Sequence, residues 1–111
     1  MQKQFVQGDI FFELVDSIQG TKSPVAPESG KYVIARGEKT GHAHVMDVAD
    51  GVLIRNTPNY PEKSHLFLVV NNKALVQHDE HMPLELDKGI YKVTQQRTFD
   101  YKKAQEEKVV D

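Results

Sequence analysis

Apolar residues along this chain fall in short runs, separated by glycine, proline, asparagine and aspartate. Phe5 to Val15, with Ile10-Phe11-Phe12 and Leu14-Val15, reads as a first strand entered through Gly8-Asp9. Its run is apolar on both faces, which suits a central strand but also a short buried helix. Asp16 to Gly30, with Pro24 and Pro27, reads as a loop long enough to be a flap over a site or a surface excursion. Lys31 to Arg36 is a second strand, Gly37 to Gly41 a turn, and the next strand runs from His42 to Ala49.

Turn chemistry then predicts three hairpins. Asp50-Gly51 is a two-residue turn signal that pairs Val48 with Leu53 and sets His42, His44, Met46 and Val48 on one face, inward at the turn end. Asn71-Asn72 separates Leu66 to Val70 from Lys73 to Gln77, and asparagine tolerates the positive φ of a type I′ turn. That register pairs Leu68 with Leu75 and brings His65 opposite His78. Lys88-Gly89 makes the third turn, pairing Leu86 with Tyr91 and Leu84 with Val93, with Glu85 facing Lys92. About seven or eight short strands, with turns roughly every 8–12 residues, predict an all-β sandwich or barrel. A chain of 111 residues predicts one domain over residues 1–111. Residues 100–111 read as a peripheral polar tail, with Asp100 placed to cap a short helix.

Composition narrows the chemistry. The 14 basic and 16 acidic residues give a net charge of −2, so neither a nucleic-acid nor a membrane-surface role is expected. The aromatic and basic residues Tyr91, Lys92, Arg97, Phe99, Tyr101, Lys102 and Lys103 have acids among them and read as a solvated strand and tail. No secretion signal or membrane span is evident, and the cytoplasm is the expected location. The chain has no cysteine, which excludes disulfides, thiolate nucleophiles and iron–sulfur clusters and leaves only nitrogen and oxygen to hold a metal. No serine stands in a nucleophile-elbow setting, and no glycine-rich phosphate loop is present.

The five histidines are the most informative residues. His42 and His44 stand two apart, so on a strand they share a face at about 6 to 7 Å. His78 and His81, three apart, would point to opposite faces of a straight strand, but Pro83 implies a bend near Met82 that brings both rings to one side. The expectation is that His42, His44, His78 and His81 converge on one divalent metal ion, with Asp47, Asp79 and Glu80 orienting rings or serving as ligands. Zinc, iron, manganese, nickel and copper all suit such a set. If the centre is catalytic, an open position activates water or dioxygen, and Glu80 or Asp79 is the acid–base candidate. His65 reads as structural.

Two further readings compete. In one, the protein is a non-enzymatic structural or partner-binding module of bacterial or phage origin whose histidines are structural. In the other, the histidines charge near pH 6 and alter an interface without metal. Partners remain open between a small molecule, a protein and a second copy of the chain.

The run Gly37 to Asp47, with His-x-His after a strand and turn and an acidic residue three positions later, resembles the first metal motif of the cupin superfamily. That resemblance implies a small β-barrel and a histidine-held metal. Over most of its length the chain is also similar to a family of short uncharacterised bacterial and phage proteins. The residues that carry this are Gln7-Gly8-Asp9, Gly41-His42-Ala43-His44, His78-x-x-His81-x-Pro83 and Gly89-Ile90-Tyr91-Lys92-Val93 followed by Gln96-Arg97. That likeness implies no particular activity.

Overall fold

The structure, a computed structural model, describes residues 3–36, 42–58 and 63–96. They form eight strands: β1 (Gln4–Gln7), β2 (Ile10–Val15), β3 (Thr21–Pro24), β4 (Lys31–Arg36), β5 (Ala43–Asp47), β6 (Gly51–Thr57), β7 (Leu66–Gln77) and β8 (Leu84–Gln95). A 3-10 turn, Val48–Asp50, is the one helical element among the described residues. All the strands join a single antiparallel sheet in the order β1-β2-β8-β7-β5-β4, with β6 also on β7 and β3 on β6. The protein is therefore all-β, as its pattern predicts.

The frame is one long hairpin. β7 and β8 each run for 12 residues and pair from Leu66↔Val93 to Val76↔Leu84. On its other edge β7 pairs with β6 from Leu66 to Val70, and then with β5 at Val76 and Gln77. The ladder between β7 and β8 shifts register between Val70 and Lys73. A bulge of this kind bends the strand and raises its twist, so β6 and β5 can share one edge. The Tyr91 hydroxyl donates to the Asp87 carbonyl at 2.8 Å and ties the two sides of the bend together.

Two predicted turns are thus strand interior. Asn71-Asn72 lies opposite Lys88, between the pairs Val70↔Gly89 and Lys73↔Asp87. Type I′ turns need positive φ at both central residues, but Ser29 is the only described non-glycine residue with positive φ. Burial explains the outcome. Leu68, Val70, Ala74 and Val76 keep one parity through Asn72 and are all buried, whereas the predicted hairpin would have matched Leu68 with Leu75, which is 40% exposed. His65 therefore does not face His78.

Asp50-Gly51 is not a hairpin either. Asp47 caps the 3-10 turn by accepting a hydrogen bond from the Ala49 N–H at 3.1 Å, and Gly51 then opens β6 against β7 rather than against β5. A side chain at Gly51 would collide with the Val69 carbonyl, which accounts for glycine there. β5 pairs instead with β4, and Val48 is exposed rather than inward. The predicted first strand is split at Gly8-Asp9 into β1 and β2, and the predicted 16–30 loop contains β3.

One face of the sheet gathers Ile10, Phe12, Met46, Leu53, Leu68, Val76, Leu86 and Tyr91 into the core. Among the described residues no helix is long and apolar enough to cross a membrane. The predicted Gly37–Gly41 turn and the 100–111 tail lie outside the described residues.

Candidate functional site

Three segments meet at one end of the core: the β1–β2 turn Gln7-Gly8-Asp9, the start of β5, and the connection of residues 78–83 between β7 and β8. On β5, His44 alternates with the buried Met46, so its ring enters the edge of the core and is only 2% exposed. Around it the four predicted histidines come together. Ring centroids are 4.3 Å apart for His44 and His78, and 4.6 Å for His78 and His81. They are 6.0 Å apart for His44 and His81 and for His42 and His78. His65 stands apart, beside Lys63, Phe67 and Lys92.

Hydrogen bonds fix the proton on His44. The buried Gln7 donates from Nε2 to the Val76 carbonyl at 2.8 Å and to the Met82 carbonyl at 2.9 Å. Two carbonyl acceptors settle which end of the amide is nitrogen, so Oε1 is the atom 2.8 Å from His44 Nδ1. An amide oxygen only accepts, and His44 therefore carries its proton on Nδ1. In the neutral ring, Nε2 is then a bare lone pair, and it faces Asp9 Oδ1 at 3.5 Å.

The other rings are held more loosely. His78 Nδ1 accepts from the Glu80 N–H at 3.0 Å, which places the proton of a neutral His78 on Nε2. His42 lies between Asp79 Oδ2, 3.4 Å from Nδ1, and Glu80 Oε2, 3.6 Å from Nε2. The first contact is close enough for an ion pair but does not form a hydrogen bond, so His42 Nδ1 is buried without a hydrogen-bond partner. His81 packs its ring on Gly8: a Cβ built at Gly8 would lie 2.5 Å from His81 Nε2. Asp47, a predicted supporting carboxylate, is not at the site. It lies at the far end of β5, on the 3-10 turn, with Lys31 Nζ 4.0 Å away.

As these side chains stand, no three His, Asp or Glu groups among the described residues are arranged to hold a metal ion. Beside the cluster, Lys31, Ala43, Val45, Gln77, His78 and Asp79 line an open hollow of about 450 Å³. Sequence reasoning missed Gln7 and Asp9 because it took Gly8-Asp9 as the entry to a strand. The available signal was a Gln-Gly-Asp turn with polar residues on both sides of a glycine.

A family model, Domain of unknown function (DUF8820), matches residues 6–96. The chain belongs to the DUF8820 family. No curated protein and no solved structure matches it. The span of the DUF8820 match includes the β1–β2 turn, all four clustered histidines and both long strands.

Burial gives this DUF8820 domain a pH dependence. The pKa of His44 is lowered from 6.5, first by desolvation and then by His78; Asp9 opposes the shift and His81 adds to it. His65 is lowered as well, by burial and then by the charge of Lys92, while a hydrogen bond with the Lys63 backbone opposes the shift. A folded-state pKa below the unfolded one means that the unfolded chain binds more protons in the interval between them. The stability is fully present above pH 6.5 and is lost as pH falls through the lowered values. In metal-free protein the urea midpoint is expected to drop between pH 7 and 5, and His44→Leu is expected to flatten that slope.

Proposed function

We propose that this domain binds one divalent transition-metal ion in the histidine cluster, with His44 Nε2 and Asp9 as the anchoring pair. The observation that carries this reading is the pair itself. Two lone-pair donors, the imine nitrogen of the buried His44 and a carboxylate oxygen of the more exposed Asp9, face each other 3.5 Å apart. A charge-assisted hydrogen bond would draw them to about 2.7–2.9 Å. Two ligands that each bind one ion at about 2.0–2.2 Å sit at a separation on the order of 3.5 Å.

The surroundings support the same reading. A ligating histidine commonly donates its other N–H to an oxygen that fixes the tautomer, which is what His44 does toward Gln7. His42 and His81 are the next ligands, after modest ring rotations in a partly open nest. His78 joins by giving up its bond from the Glu80 N–H. The donors are all nitrogen and oxygen, which suits Zn, Fe, Mn, Ni or Cu. Asp79 and Glu80, exposed beside His42, stand where an acid–base group would serve a water on the metal.

The test is elemental analysis of untagged protein, alongside the Asp9→Asn and His42→Ala/His44→Ala variants. About one metal per chain is expected in the wild type, with loss in both variants. No metal in the wild type, together with no rise in melting temperature on adding Zn, Mn, Fe, Ni or Cu, overturns the proposal and leaves the histidines structural.

A further inference from the structure

A second cavity, unconnected with the histidine cluster, lies on the sheet face turned away from the core. It measures about 570 Å³ and is lined by Val15, Ser17, Gln19, Asn56, Pro58, Lys63, His65, Phe67 and Lys92. Strand alternation puts it there: Leu68 and Tyr91 point into the core, so their neighbours Phe67 and Lys92, partners in the ladder, point out. The β2–β3 connection and the end of β6 wall it in. Asn56 is buried, donating to the Gln19 carbonyl at 2.9 Å and accepting from the His65 N–H at 2.7 Å, so the walls are fixed to each other.

Its charge is one-sided. Lys63, His65 and Lys92 line the cavity, and among the described residues no carboxylate does. Among the described residues neither lysine has an ion-pair partner. Glu13 faces Lys92 across the ladder without forming an ion pair. Phe67, Val15 and Pro58 supply an apolar wall opposite. Cavities of about 300–1,000 Å³ with an apolar wall and a few convergent polar groups are the usual form of a small-molecule site.

From this we infer that the cavity is a binding site for a small phosphomonoester with an apolar or aromatic body. A phosphomonoester is close to a dianion at neutral pH and matches two uncompensated lysines better than a monocarboxylate does. His65 lines the same cavity, and after burial the charge of Lys92 is the main cause that holds its pKa down. A bound dianion reverses that repulsion, so His65 is expected to titrate at higher pH when the site is filled.

The probe is phenyl phosphate, titrated into metal-free full-length protein and followed by amide and imidazole NMR shifts, so that failure of the metal proposal leaves this test intact. Shifts are expected at His65, Phe67 and Lys92, with affinity at least about tenfold above inorganic phosphate and above phenylacetate. An upward shift of the His65 titration is expected with them. Lys63→Gln/Lys92→Gln is expected to keep the melting temperature and lose at least about tenfold in affinity. Three results overturn the inference: no localised shifts at about 10 mM probe, equal affinity for phenylacetate, or an undiminished response in the double variant.

Discussion

Replacing Gln7 with leucine is expected to destabilise the domain by about 3–5 kcal/mol, a large fraction of what a domain of this size possesses. One side chain makes three contacts there: to the Val76 carbonyl at the end of β7, to the Met82 carbonyl in the 78–83 connection, and to His44 Nδ1. Leucine conserves volume and apolar burial, but it leaves two carbonyls and an imidazole N–H unpaired in a site only 3% exposed at Gln7. Each such group costs about 1–3 kcal/mol, with partial relief from relaxation and water. Gln7→Glu separates shape from donation, because a carboxylate keeps the length but cannot donate to either carbonyl. Both variants are expected to melt at least about 10 °C lower. Nitrogen-15 NMR of His44 should show Nδ1 protonated in the wild type and a shift of the proton toward Nε2 in Gln7→Leu. Metal affinity is expected to fall about 10–100-fold, as when a group that orients a ligand is removed. A melting temperature unchanged to within about 2 °C would show that the amide contributes little.

Gly8→Ala is the second large effect, and it acts through a different ring. Gly8 has φ +61 at the β1–β2 turn, where a Cβ costs about 1–2 kcal/mol. That Cβ would also lie 2.5 Å from His81 Nε2 and 2.8 Å from its Cδ2. The His81 side chain is exposed and belongs to a connection rather than a strand, so it is expected to swing out instead of forcing the backbone apart. The variant should therefore lose about 1–2 kcal/mol of stability and a larger share of metal affinity, on the order of tenfold or more. A double-mutant cycle in metal affinity with His81→Ala isolates the contact: with the ring gone, Gly8→Ala should still cost the backbone term in stability but no further metal affinity. Strict additivity of the two changes would show that His81 and Gly8 do not interact.

Much of this arrangement was legible in the residues. The periodicity that marks short strands was sound, Lys31 to Arg36 came out as β4, and the prolines, glycines and histidine spacings led to four rings that do lie together. His42 and His44 are two apart on or beside β5, and the bend ahead of Pro83 brings His78 and His81 to the same side. The turn residues misled. Asn71-Asn72 and Lys88-Gly89 carry hairpin chemistry, yet together they form the bend of one long hairpin. The competing signal was present in the sequence, since Leu66, Leu68, Val70, Ala74 and Val76 hold one parity across both asparagines. Burying that whole row outweighs the preference of two exposed asparagines for a turn.

Local pattern and composition by themselves determined the all-β class, the absence of cysteine chemistry and the identity of the clustered histidines, because these depend on side-chain type and on spacings of a few residues. Tertiary structure decided the rest: that β1 folds back at Gly8 to bring Gln7 and Asp9 against His44, that Asp47 is spent on a cap, and that Lys63, His65 and Lys92 share a cavity. Those partners are 37 residues apart for Gln7 and His44 and 69 for Gln7 and Val76. Contacts over such separations are set by which strands pair and in what register, and that choice is made by burial of the entire core rather than by any short stretch of chain.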